Sequence, residues 1–117
     1  MNLSFKKAEK LRKNSDFLAV YRQGKKEYGK YLVIYFVYHK DSGRKAGFVV
    51  SKRVSKKAVV RNKIKRRLRE IYRLNRFSLP ENIFLITVAK PEIVKADYNE
   101  IRDDLLEAFK KISNRTD

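Results

Sequence analysis

Residues 58–76 read AVVRNKIKRRLREIYRLNR, and the two sides of this stretch set how the rest of the chain is arranged. Val60, Ile64, Leu68 and Ile71 recur at helical spacing; at 100° per residue they fall in one arc of about 80°. Arg61, Asn62, Lys65, Arg66, Arg69 and Arg73 occupy the adjoining arc, about 140° wide. Lys63, Arg67 and Glu70 fill what is left. A merely soluble helix would intersperse both signs and gain pairs one turn apart. Here only Glu70 is available, so like charges repel when the protein is alone. The spacing predicts a helix with an apolar stripe sized to pack on a sheet and a cationic face that needs something negative.

Working outward, Arg44 to Arg76 holds fourteen Lys and Arg against one acid, +13 of the net +17 carried by 117 residues. A field this concentrated addresses a polyanion, because each cation that meets a phosphate releases a condensed counterion. Arginine leads within the helix, and its planar fork suits phosphate better than a lysine point charge. Asn62 adds an amide able to donate and accept at a ribose hydroxyl or base edge. A membrane-surface helix would also be basic and amphipathic, but the apolar arc is narrow and the chain has no Trp. The longest apolar run, Tyr31 to Tyr38, is too short to span a bilayer. Zero cysteines exclude disulfides and thiolate metal sites. Met1 to Lys13 has no apolar stretch of the secretory type, so the expected location is cytoplasmic and no membrane partner is expected.

Before the basic helix, Ser15 opens a short helical pattern with Phe17, Val20 and Tyr21, and Gly24 supplies a stop. Tyr31 to Tyr38 is an uninterrupted strand; Lys40 to Gly43 is a turn, and Ala46 to Lys52 reads as the returning strand of a hairpin. After the helix come a strand over Ile83 to Val88, stopped by Lys90-Pro91, and a helix from about Tyr98 to Ile112. That helix buries Ile101, Leu105, Ala108, Phe109 and Ile112. The expectation is one RNA-binding domain over residues 1–117, an α+β fold with a small sheet packed with helices in the order α-β-β-α-β-α.

Leu32, Ile34, Phe36 and Tyr38 alternate with Tyr31, Val33, Tyr35 and Val37 on the first strand, and both sets are apolar. Phe17 and Tyr21 could close over the Tyr31, Val33 and Tyr35 side, with Lys52, Arg53 and Lys90 at the edges. Single-stranded RNA suits such a groove, since unstacked bases settle on aromatic faces. Phe17 and Tyr21 also read as core residues beneath a short helix, and the residues alone favour that reading. Catalytic groups are scarce. His39 reads as a surface residue at a strand end, and Asp103, Asp104 and Glu107 read as solvated partners of Lys110 and Lys111. No catalytic or metal-binding residue is assigned.

The chain resembles the protein subunit of bacterial ribonuclease P over nearly its whole length. The signature R-N-x-x-K-R-x-x-R-E is met at Arg61, Asn62, Lys65, Arg66, Arg69 and Glu70, after Val50-Ser-Lys-Arg53. An N-terminal pattern is met at Leu11, Lys13, Asp16, Phe17, Val20, Tyr21 and Gly24, and Val88-Ala-Lys90 matches a basic strand end. The resemblance implies a ribosomal protein S5 domain 2-like fold whose βαβ crossover is left-handed, against the usual hand. It implies an RNA-binding subunit of a ribonucleoprotein endonuclease, a hydrolase of tRNA processing that removes the 5′ leader of precursor tRNA. Arg61, Asn62, Lys65, Arg66 and Arg69 would meet the catalytic RNA; Phe17, Tyr21, Val33, Tyr35, Lys52 and Lys90 would hold the leader. The partners implied are the catalytic RNA and precursor tRNA, with no protein partner required. No cofactor is expected on the protein, and Mg²⁺ is expected at the RNA active site. Ser55-Lys56-Lys57 departs from a glycine-containing loop of many members, and Gly29-Lys30 from a common Asn-Arg pair. The rival reading is a ribosomal protein; a DNA reader would usually present a helix-turn-helix or a dimerising element.

Overall fold

The computed structural model describes residues 9–38 and 43–115. Its elements are α1 (Asn14–Gln23), β1 (Lys25–Tyr28), β2 (Leu32–Tyr38), β3 (Lys45–Val49), α2 (Ala58–Asn75), β4 (Ile83–Ala89) and α3 (Tyr98–Ser113). Short 3-10 turns at Arg76–Ser78 and Pro91–Lys95 follow α2 and β4. The strands form one mixed sheet in the order β1-β2-β4-β3.

β3 does not return beside β2 as a hairpin. β4 lies between them, antiparallel to β2 and parallel to β3. Ile83 to Ala89 is buried at nearly every position on both faces, so it takes a central place, and β3 becomes an outer strand. The turn expected at 40–43 lies largely outside the described residues, as does His39. The sheet also gains β1, which pairs antiparallel with β2 from Lys25 opposite Phe36 to Tyr28 opposite Val33. Its sequence, Lys-Lys-Glu-Tyr, has no apolar alternation to announce a strand; an outer edge strand needs none.

Ser15 is not the cap of α1. The cap position is Lys13, two residues earlier, and the helix starts at Asn14 without a side-chain cap. Gly24 does end it, by close approach and not by a left-handed turn. Its φ is −73°, and a Cβ would stand 2.2 Å from the Val20 carbonyl oxygen and 2.9 Å from that of Phe36. α3 starts on a full capping box, with Glu100 N–H donating to Asp97 and Asp97 N–H donating to Glu100.

Two cores flank the sheet. On one face Leu32, Ile34, Phe36, Phe48 and Leu85 meet Ile64, Leu68, Ile71 and Tyr72 of α2 and the predicted apolar set of α3. On the other, Val20 of α1 and Leu11 meet Phe84 and Ile86. Each large apolar side chain so buried contributes about 1.5–3 kcal/mol.

The crossover from β3 through α2 to β4 is left-handed, and L-chirality fixes this. In an extended L-residue running upward with its side chain toward the viewer, N–H and C=O point right. Lys90 N–H donates to the Tyr31 carbonyl at 2.9 Å, so the alternate residues Val88, Ile86 and Phe84, whose side chains face α1, direct their polar groups toward β2. Seen from α1 with β4 running up, β2 is then on the right, β3 on the left and α2 behind. Rising along β3, passing back through α2 and rising again along β4 is a left-handed turn. With the same strand order, a right-handed connection would have laid α2 on the face that α1 occupies.

Candidate nucleic-acid interface

The cationic face of α2 stands as the sequence predicts, with its apolar stripe of Ile64, Leu68 and Ile71 buried and Val60 packed beside it. Asn62, Arg66 and Arg69 are exposed, and Lys65 is half-buried. The first turn has no acid and no side-chain cap, so its free N–H groups and the positive end of the helix dipole add to the field. Little within the protein cancels it. Among the described residues, the side chains of Lys52, Arg53, Lys56, Lys57, Lys63, Lys65, Arg66, Arg67 and Arg69 make no hydrogen bond or ion pair.

Five cations of the same run are engaged within the protein. Arg76 is 2% exposed and ion-paired with Glu9 at 3.1 Å. Arg44 donates to the Leu79 carbonyl, Arg73 pairs with Glu70 at 2.7 Å, and Lys45 sits over the Phe84 ring. Arg61 turns back on the loop before its helix, its Nη1 donating to the carbonyls of Ser55 and Lys56, each at 2.9 Å. In that loop Val54 is buried, and Ser55 Oγ accepts from Lys57 N–H at 3.2 Å. The serine thus organises the turn that leads into α2.

On the opposite face, α1 covers only part of the sheet. Phe17 lies against the bare peptide of Gly47, where a Cβ would come within 2.8 Å of its Cζ. The Tyr21 ring meets Tyr35 edge-on at 4.9 Å, and Lys26 reaches over the Tyr35 ring at 5.4 Å. Burial, then the neighbouring Tyr35, pushes the Tyr21 phenol above its ordinary pKa. The next row across the sheet is Tyr28, Val33, Val88 and Val49, aligned by register. Its valines are half-buried and Tyr28 is 60% exposed, so this row forms an open apolar floor beside α1. Phe17 is thus packed on the second core, whereas Tyr21 is 38% exposed and stands as a wall against Tyr35.

Lys52 is exposed in the turn that follows β3. Lys90 follows β4, and its Nζ donates to the Gly29 carbonyl at 2.7 Å, leaving two of its three donors. Tyr31 departs from the predicted row. It packs on the α3 side, its hydroxyl donating to Glu100 at 3.1 Å, because the chain turns at Gly29-Lys30 and alternation starts only at Leu32. That turn is held by Asp104, which accepts from the backbone N–H of Lys30 and of Tyr31, both at 2.8 Å. A Cβ at Gly29 would stand 2.5 Å from the Asp104 carboxylate, so glycine belongs there. Asp104 is thus a turn anchor and Asp103 pairs with Arg102, in place of the expected partners Lys110 and Lys111. Tyr28 and Lys26 escaped sequence reasoning because β1 did; only their pairing with β2 places them in the groove.

Among the described residues, no group of three His, Cys, Asp or Glu is placed to hold a metal ion, and no helix is long and apolar enough to cross a membrane. The family model described as Ribonuclease P matches residues 5–113. The chain belongs to the ribonuclease P protein family. It is 41% identical over 110 residues to the ribonuclease P protein component of Dictyoglomus thermophilum, covering 92% of this chain and 91% of that one. The ribonuclease P protein of Thermotoga maritima superposes with a TM-score of 0.80 at 30% identity, covering 89% and 97% of the two chains. That of Staphylococcus aureus superposes with a TM-score of 0.82 at 29% identity, over 92% and 100%. The Ser55–Lys57 and Gly29-Lys30 departures thus sit in a family fold that keeps its frame.

Proposed function

We infer that this chain is the protein subunit of ribonuclease P, a ribonucleoprotein endoribonuclease that removes the 5′ leader of precursor tRNA. It binds; the RNA cleaves. The cationic face of α2, through Asn62, Lys65, Arg66 and Arg69, neutralises phosphates of the catalytic RNA. Arg61 contributes mainly by holding the loop from which Lys52 and Arg53 project. The groove between α1 and the sheet takes the leader, with bases on Phe17, Tyr21 and Tyr35, Val33 in its floor, and phosphates near Lys52 and Lys90. The Mg²⁺ ions of the cleavage step are held by the RNA in this reading.

One observation carries it: α2, with its uncancelled cations, packs on one side of the sheet and α1, with the aromatic groove, on the other, while Lys65 and Arg69 reach round the β3 edge, so two RNA segments can be held together. A structural ribosomal protein would need the first surface only. The leader is present in substrate and absent from product, so contact with it favours binding of precursor over mature tRNA. The test adds purified protein to its cognate catalytic RNA at low Mg²⁺ and follows precursor cleavage. Stimulation, with tighter binding of precursor than of mature tRNA, is expected. Absence of stimulation returns the chain to the ribosomal class.

A further inference from the structure

A separate concavity of about 320 Å³ lies where the segment before α1, α1, β3 and α2 meet. The segment runs beside the outer edge of β3, with Leu11 N–H donating to the Ala46 carbonyl at 3.0 Å. Leu11 enters the core, and the neighbouring Arg12 lines the concavity. Lys65 and Arg69, one turn apart on α2, form the other bank. Between them lie the Phe17 ring, the Gly47 backbone it rests on, and Phe48.

Arg12, Lys65 and Arg69 make no hydrogen bond or ion pair among the described residues, although all three converge on one hollow. Charges lining a hollow are screened less by salt than charges on an open surface, so their mutual repulsion persists. The occupant must be negative. It must also be flat and apolar in part, because a bare phosphate would leave the Phe17 wall wet. The volume sits at the lower end of ligand sites, about 300–1,000 Å³, which suits one nucleotide and not a run of them.

We propose that this hollow is a nucleotide subsite, in which one unstacked nucleotide of a bound RNA lays its base on Phe17 and its phosphate among Arg12, Lys65 and Arg69. The proposal rests on the RNA-subunit reading and adds to it a site outside the leader groove, on the other side of Phe17 from Tyr35. The nucleotide can come from the catalytic RNA or from the leader; both offer the same chemistry.

Because the chain has no cysteine, Arg12→Cys gives a unique attachment point for a photoactivatable aryl azide. Crosslinks are mapped in the assembled particle, with catalytic RNA alone and again with precursor tRNA added. Crosslinks confined to one or two adjacent nucleotides are expected. Their appearance without precursor assigns the base to the catalytic RNA, and appearance only with precursor assigns it to the leader. An abasic residue at that position keeps the phosphate and should weaken binding about tenfold. Arg12→Ala should lower the slope of log affinity against log salt by about 0.7–0.9. Crosslinks scattered along the RNA, or an abasic residue without effect, would overturn the subsite. Unlabelled wild-type protein in the same assembly tests the RNA-subunit reading separately, since that reading fails only if cleavage is not stimulated.

Discussion

The guanidinium of Arg61 spends its Nη1 on two backbone carbonyls, whereas that of Arg66, five residues along the same helix, stands exposed with no partner among the described residues. The two arginines belong to one motif but differ in role. Arg66→Ala should weaken binding to the catalytic RNA and flatten its salt dependence by about one phosphate, a slope change of about 0.7–0.9, with little change in the urea midpoint. Arg61→Ala should do more to stability than to slope, lowering stability by about 1 kcal/mol in urea titration as the Ser55–Lys56 carbonyls lose their donor. Arg76 belongs to the same charge run and contributes nothing to the outward field, being buried against Glu9. Arg76→Ala strands that carboxylate and should cost about 3 kcal/mol, discounted from the upper range because Glu9 is 21% exposed, and it should leave the salt slope of RNA binding unchanged.

At the scale of elements, α1 is held on the sheet by a contact too close for any side chain. Gly24→Ala would drive a Cβ into two backbone carbonyls, Val20 and Phe36, neither of which can rotate away. A loss of about 2–3 kcal/mol is expected in thermal or urea unfolding, through displacement of α1. Tyr21 stands on this helix, so the groove should be altered as well. The groove itself is tested by Phe17→Ala combined with Tyr35→Ala, which should weaken precursor binding and leave mature tRNA affinity alone. Equal losses for both ligands would remove the leader from this face. β3 shows the limit of element-level reasoning. Its strand character was evident in Ala46 to Lys52, although β3 runs only from Lys45 to Val49; its neighbour in the sheet was not, because a strand offers the same donors and acceptors to any partner.

Across the whole molecule, the left-handed crossover separates two surfaces. It sends α2 to the α3 side of the sheet and leaves the other face to α1, so the groove stays open. The α2–α3 side is where titration reaches the core. Burial, followed by the charge of Glu9, pushes the Tyr72 phenol well above its ordinary pKa of 10.0, with Arg44 and Arg76 opposing. A phenol raised in the folded state holds its proton after the unfolded chain has released it. Stability is therefore complete below about pH 10 and falls as pH rises beyond it. Thermal midpoints measured from pH 8 to 11 should show this decline, and Tyr72→Phe should reduce its steepness.

The stripe of Val60, Ile64, Leu68 and Ile71, the cation arc beside it, and the buried set of α3 were legible in the sequence because helical period is a local property. The same holds for the family motif, whose spacing is one helix face. The place of β4 between β2 and β3, the strand β1, and the Asp104 anchor 73 residues from Tyr31 were decided only in three dimensions. So were the inward turn of Arg61 and Arg76 and the hollow between Arg12 and Arg69. Local covalent geometry determines which way a side chain leaves its own element. What it then meets depends on distant parts of the chain, and that choice is made by the packing of the whole.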